Sequence, residues 1–275
     1  MHLPRNQPID PRSFVEAMSL PVRQAMAAVR WLEGRVANRP KASELTPEKA
    51  ALTDGDCVSQ EILLVALREQ FPWVSLDVEE DTPSTRGFAQ NRSRDRVVID
   101  PIDGTLRYLL GDGPYAILVG LAREGRMEAA LVGIPQRDLL IRAVRGQGAE
   151  QAWGDGPFVP AQLQTPTSHV LVSYGLPREI EERLRACGAK LTLAAGGVIG
   201  VAPLLTDVGG AVRISASSRG LSPRAWVSTL PTLEAGGLVQ TLEGSFPDRY
   251  ERGVSGMLVA PDGDVMRCLR SRIAP

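Results

Sequence analysis

The sequence predicts a mixed α+β, α/β protein, on three observations. Apolar residues recur at helical spacing in the first part of the chain. Strand-like runs follow one another across short turns in the middle, and strand-like and helix-like segments alternate towards the end. The 275 residues suit one large domain or two packed lobes. Hydrophobic content of 43% and charged content of 23% are ordinary for a globular protein. A net charge of −1 gives no reason to expect a nucleic acid polymer or an anionic membrane as partner. The cluster Arg92, Arg94 and Arg96 is short and interrupted, and reads as a solvated face. Cys57, Cys187 and Cys268 are far apart and form no CxxC pattern, which fits a reducing compartment. Met1 to Ser13 is polar, and no apolar run approaches the roughly 20 residues that span a bilayer. The expectation is a soluble, cytoplasmic protein.

Taken in order, Pro21 is expected to open a helix whose buried stripe is Val22, Met26, Val29, Leu32 and Val36. Asn38 to Leu52 is polar, contains Pro40 and Pro47, and reads as a loop or mobile flap. A second helix is expected from Ser59 to Phe71, with Ile62, Leu63, Ala66, Leu67 and Phe71 inward and Pro72 as its stop. Tyr115–Ala122, Glu128–Ile134 and Leu139–Val144 form an antiparallel meander across the turns Glu124-Gly125 and Pro135-Gln136. Trp153 to Thr167 reads as the join between two lobes, residues 1–155 and 156–275. Beyond it, His169–Tyr174, Ala211–Ala216 and Gly256–Ala260 read as strands. Arg178–Cys187 (stopped by Gly188), Trp226–Ala235 (stopped by Gly236-Gly237) and Asp264–Arg270 read as helices.

The most informative run is Val97-Val98-Ile99-Asp100-Pro101-Ile102-Asp103-Gly104-Thr105. A buried strand ends on two carboxylates three positions apart, followed by a hydroxyl. Such a set suits a hard, oxygen-preferring cation such as Mg2+. Gly104 permits a sharp turn, so Thr105 can fold back over the ions. Two other acidic segments precede it, Thr53-Asp54-Gly55-Asp56 and Asp77-Val78-Glu79-Glu80-Asp81. Alone, Asp56 reads as a helix cap and residues 77–81 as a solvated loop. Phosphate monoester hydrolysis needs phosphoryl charge neutralised and a water deprotonated in line, which requires acids converging from separate segments.

The three segments, in that order, resemble the inositol monophosphatase family of Mg2+-dependent small-molecule phosphatases. The likeness continues in Gly146-Gln147-Gly148-Ala149, Gly209-Gly210-Ala211 and Glu234-Ala235-Gly236-Gly237, and is strongest over residues 50–150. It implies a layered αβαβα fold, a site between the lobes and a homodimer. It also implies that Glu79, Asp100, Asp103 and the Ile102 carbonyl bind metal, with Glu80 behind them or exchanging places with Glu79. On the same basis Asp56 and Thr105 orient and deprotonate the attacking water, with Glu79 assisting. Asp103, Gly104 and Thr105 meet the phosphate. Val78 stands where the family usually has glycine.

The second half departs from this pattern. Family members begin a helix with Trp-Asp shortly before Glu-Ala-Gly-Gly, and the aspartate binds a second metal. Counting back from Glu234 lands on Arg224, and counting forward from Gly209-Gly210 lands on Pro223. The aspartate that usually follows Gly-Gly-Ala is replaced by Val212, and a substrate-binding glutamate by the stretch Ile214-Ser215-Ala216-Ser217. Loss of an anionic ligand weakens a second metal, and Arg224 adds repulsion. Arg224 and Arg219 are candidates to contact a phosphate directly, against solvated loop arginines as the plainer alternative. Asp207, expected inside a helix, and Glu234, expected in a structural turn, are weak replacements for the missing ligand. Two functions follow. One is a Mg2+-dependent phosphatase of a small polyol, sugar or nucleotide phosphate. The other is a catalytically impaired relative that binds a phosphate ligand or regulates.

Overall fold

The computed structural model describes residues 8–42, 44, 46–215, 220–244 and 253–273. Helix α1 (Pro11–Leu32) starts ten residues before Pro21, because Asp10 caps it by accepting the Ser13 N–H and Pro11 fills its first position. Pro21 is therefore a buried interior residue. It forfeits one helical hydrogen bond, and the apolar face of Phe14, Val15, Met18, Val22, Met26 and Val29 holds the helix through it. The helix stops at Leu32, so Val36 lies beyond its stripe. The expected flap contains a one-turn helix, α2 (Pro47–Ala50). Helix α3 (Asp54–Gln70) begins earlier than Ser59 because Thr53 and Asp56 form a reciprocal capping box.

Strands β1 (Ser75–Val78) and β2 (Asp95–Asp103) precede helix α4 (Thr105–Leu110). Strands β3 (Ala116–Arg123), β4 (Arg126–Ile134), β5 (Leu139–Val144), β6 (Gly148–Trp153) and β7 (Val159–Pro160) follow. They form one sheet in chain order, β1 parallel to β2 and the other pairs antiparallel. The expected meander is β3 to β5. The expected join carries β7, which still belongs to this sheet.

The rest of the chain runs β8 (His169–Val172), α5 (Arg178–Ala186), β9 (Lys190–Leu193), α6 (Gly196–Gly200), β10 (Gly210–Ile214), α7 (Ala225–Glu234), β11 (Leu238–Thr241), β12 (Gly256–Ala260) and α8 (Gly263–Ile273). Its sheet has the order β11-β12-β10-β8-β9. Ala216, Ser217 and Arg219 lie outside the described residues.

Helices α1 and α3 pack together on one face of the first sheet. Helices α6 and α7 lie between the sheets, and α5 and α8 cover the far face of the second. The layers are therefore αβαβα. Strand alternation divides the second sheet's side chains: Leu171, Ala211, Met257 and Val259 join the main core, while Val170, Val172, Val212 and Leu258 face α5 and α8.

Candidate functional site

The site is built around an irregularity in β2. Asp100 opposes Leu118 on β3 and Asp103 opposes Ala116, so three steps on one strand match two on the other. An extra residue in a ladder is a bulge, which re-aims the side chains beside it. In a regular strand Asp100 and Asp103 would point to opposite faces; the Pro101-Ile102 bulge lets both serve one site. Gly104 then turns the chain with φ +97°, and a Cβ there would lie 2.5 Å from the Ala195 Cβ. Only glycine passes this close in a left-handed conformation.

Asp56, with 1% of its surface exposed, divides its two oxygens. Oδ2 accepts from the Thr53 N–H at 2.8 Å and the Thr53 hydroxyl at 2.7 Å, while Oδ1 accepts from the Thr105 hydroxyl at 2.9 Å. Asp56 is thus both a capping residue and the partner of Thr105. Burial pushes its carboxyl up to about 6, against the opposing pull of Thr53 and Thr105. The Thr105 hydroxyl also lies 3.0 Å from the Ile102 carbonyl, a second acceptor for its proton.

Glu79 lies beyond the end of β1 and pairs with Lys41 at 2.9 Å, while Lys41 Nζ is 2.6 Å from Glu80. Burial disfavours the Glu79 carboxylate, but Arg224 and Lys41 outweigh it and hold the group below its ordinary range. Glu80 is raised, chiefly by burial. Asp100 is buried, and burial followed by the charges of Glu79 and Asp103 raises it well above the usual carboxylate range. Its Oδ1 has no hydrogen-bond partner. Asp103 accepts the Gly197 N–H and is also raised by burial, with the Arg213 charge opposing.

Arg224 immediately precedes α7 and faces these acids. Its Nη1 donates to Asp77 at 3.2 Å, Nη2 is 3.8 Å from Glu79, and Nε is 3.7 Å from Asp100. The arginine considered for phosphate therefore meets carboxylates. Neither alternative acid substitutes for it. Asp207 lies in a turn at φ +65° and outside any helix, its carbonyl accepting from Thr167. Glu234 accepts the Gly146 and Gly148 N–H groups at 3.0 and 3.1 Å.

Three contributors were not anticipated. Gln60 holds the Glu80 backbone, donating to its carbonyl at 2.6 Å and accepting its N–H at 3.0 Å, and it also donates to Thr82. Lys41 reaches in from the expected flap, and the Gly197 amide comes from α6. Gln60 had a signal: Asp56, Ser59 and Gln60 continue the buried stripe of Leu63 and Leu67 with polar groups. Lys41 and Gly197 had none, since their placement depends on long-range packing.

The donor chemistry fits one hard cation, because Asp100 presents a buried, unpartnered oxygen beside Asp103. Among the described residues, no three Asp, Glu, His or Cys side chains form a ready metal cluster. Glu79 is turned to Lys41, and Asp103 to Gly197. The Arg224 side does not fit a second cation, since a guanidinium already stands there and the first turn of α7 carries no acid.

Comparison with known proteins bears on the family and the fold. The model of the inositol monophosphatase family matches residues 16–186. A putative Nus factor SuhB of Neisseria meningitidis is 36% identical over 98 residues. A histidinol-phosphatase of Chlorobaculum parvum is 32% identical over 100 residues. Each alignment spans 36% of this chain and 36% of the relative's length. The crystal structure of an IMPase/NADP phosphatase complexed with Mg2+ and phosphate superposes with a TM-score of 0.71 at 16% identity, covering 95% of both chains. That likeness shows the fold, and the family match adds ancestry: this chain belongs to the inositol monophosphatase family.

Proposed function

We propose that the chain is a Mg2+-dependent phosphatase acting on a phosphate monoester of a small polyol, sugar or nucleotide. The observation that carries this reading is the Asp56–Thr105 pair beside Asp100 and Asp103. A buried carboxylate with a pKa of about 6 is deprotonated at neutral pH yet basic enough to accept a proton. In the proposed mechanism the Thr105 hydroxyl holds the attacking water and passes its proton to Asp56 Oδ1. Glu79, Asp100, Asp103 and the Ile102 carbonyl would hold Mg2+, with Glu79 leaving Lys41 to do so. When bound, the ion neutralises phosphoryl charge and makes water more acidic. The N–H groups of Gly104 and Thr105 would face the phosphate; Thr105 opens α4, whose first-turn amides lack intrahelical acceptors. Relatives named histidinol-phosphatase and IMPase/NADP phosphatase support a small phosphorylated substrate.

No described helix is long and apolar enough to cross a membrane, and the three cysteines are free. Both facts suit the proposed cytoplasmic setting, and the homodimer is retained from the family resemblance.

The test is phosphate release from a panel of monoesters with and without Mg2+, using Asp100→Asn as control. Mg2+-dependent release above that control is expected. A folded protein that releases none would overturn the reading. That result would favour a second reading, a regulatory or phosphate-binding relative, which Arg224 and the Nus-factor names of several relatives support.

A further inference from the structure

Arg224 is surrounded in a way that differs from an ordinary arginine–carboxylate pair. A guanidinium normally forms two parallel hydrogen bonds with one carboxylate. Here three carboxylates from different positions share one guanidinium: Asp77 at 3.2 Å, Asp100 at 3.7 Å and Glu79 at 3.8 Å. The two longer contacts exceed hydrogen-bond length. Nε is buried without an acceptor. The group therefore acts mainly as a charge among anions, a role often taken by a bound metal.

Asp100 shows the division most clearly. Its Oδ2 faces Arg224, and its buried Oδ1 has no hydrogen-bond partner. One oxygen already has a fixed cation, and the other remains available. The beginning of α7, with its partial positive charge and no acidic residue in the first turn, adds to the positive potential on the Arg224 side.

We propose that the Arg224 guanidinium is the permanent second cation of this site, leaving one exchangeable divalent ion on the Asp100–Asp103 side. This rests on the phosphatase reading above and divides its labour. A guanidinium neutralises carboxylates and phosphoryl oxygens, but it cannot make a water acidic as a divalent ion does. Proton removal therefore depends on Asp56, Thr105 and the single ion.

Calorimetric titration with Mn2+, with inorganic phosphate present, tests the proposal on the full chain, Arg224→Asp, Arg224→Ala and Asp100→Asn. The expected stoichiometry is one ion for the unaltered chain, two for Arg224→Asp and none for Asp100→Asn. Because removing a buried cation can weaken folding, thermal melts provide a second readout. Arg224→Ala should melt lower than the unaltered chain without divalent ions and recover most of the loss in millimolar Mg2+, while the unaltered chain shifts less. Two ions on the unaltered chain would overturn the proposal while preserving the metal site. One ion on Arg224→Asp, with no Mg2+ recovery in Arg224→Ala, would also overturn it. If neither the unaltered chain nor Arg224→Asp binds an ion, the metal reading itself fails, and the proposal with it.

Discussion

The two sides of the site solve the same electrostatic problem differently. On the β2 side, Asp56 and Asp103 are buried acids hydrogen-bonded to neutral donors, Thr53, Thr105 and the Gly197 amide, and Asp100 Oδ1 has no hydrogen-bond partner. On the α7 side, a charged side chain balances the acids, with Arg224 facing Asp77, Glu79 and Asp100. Neutral donors leave a carboxylate its charge and its capacity to bind a cation or accept a proton. A guanidinium uses that capacity. The same acidic cup can therefore be poised for exchangeable chemistry on one side and permanently neutralised on the other.

The largest test of this contrast is Asp56→Asn. Its amide can still accept from Thr53 and can donate to the Thr105 hydroxyl, so the fold should be retained while the proposed base is removed. Phosphate release should fall by about 10²–10⁴-fold. The proton linkage gives the same substitution a stability readout. Asp56 has a folded pKa of about 6 against 3.8 ordinarily. Its contribution is fully present below the unfolded value and is lost as pH rises through the folded value. Urea unfolding should therefore show a fall in stability between about pH 4 and 6 that is steeper in the parent than in the variant, by up to about 3 kcal/mol, since the raised Glu80, Asp100 and Asp103 contribute to both. Substrate turnover should rise through the same window. A variant that retains full activity would remove Asp56 from the mechanism.

A backbone test comes next. Gly104→Ala introduces a Cβ 2.5 Å from Ala195 at φ +97°, and should cost about 2–4 kcal/mol in chemical denaturation. Gly111→Ala is the control. It has φ +63° and open space, so it should cost about 1 kcal/mol. Equal losses would mean that the Gly104–Ala195 contact does not constrain the turn into α4.

Gln60→Ala addresses how Glu80 and its neighbour Glu79 are held. It strips partners from the buried Glu80 backbone and should cost about 2–3 kcal/mol, with a rise in KM for Mg2+. Unchanged Mg2+ dependence would detach Gln60 from the site. The smallest effect is expected for Glu234→Ala, which frees two amides near the surface. It should cost about 1 kcal/mol and leave the Mg2+ requirement unaltered.

The parts legible in the sequence were those determined by neighbours along the chain. Asp100-Pro101-Ile102-Asp103-Gly104-Thr105 announced a strand end, a turn and a hydroxyl in nine residues of context. The meander followed from its turn residues. Helix starts were harder: Pro21 looked like an opening signal, yet the Asp10–Ser13 cap begins the helix and buried packing carries it through the proline. Strands β9 and β11 were missed because both are short and only partly buried, without a run of core residues. Lys41, Gln60 and Gly197 reach the site only after separate elements pack. Arg224 could be placed by counting from Glu234, but its turn towards carboxylates required the three-dimensional arrangement of β1, β2 and α7.

The most direct measurement is a crystal structure of the chain grown with Mn2+ and phosphate, with ions located by anomalous scattering. The prediction is one ion per chain, beside Asp100 and Asp103, with the Arg224 guanidinium still against Asp77 and Asp100. Two ions with Arg224 displaced from those carboxylates would contradict it.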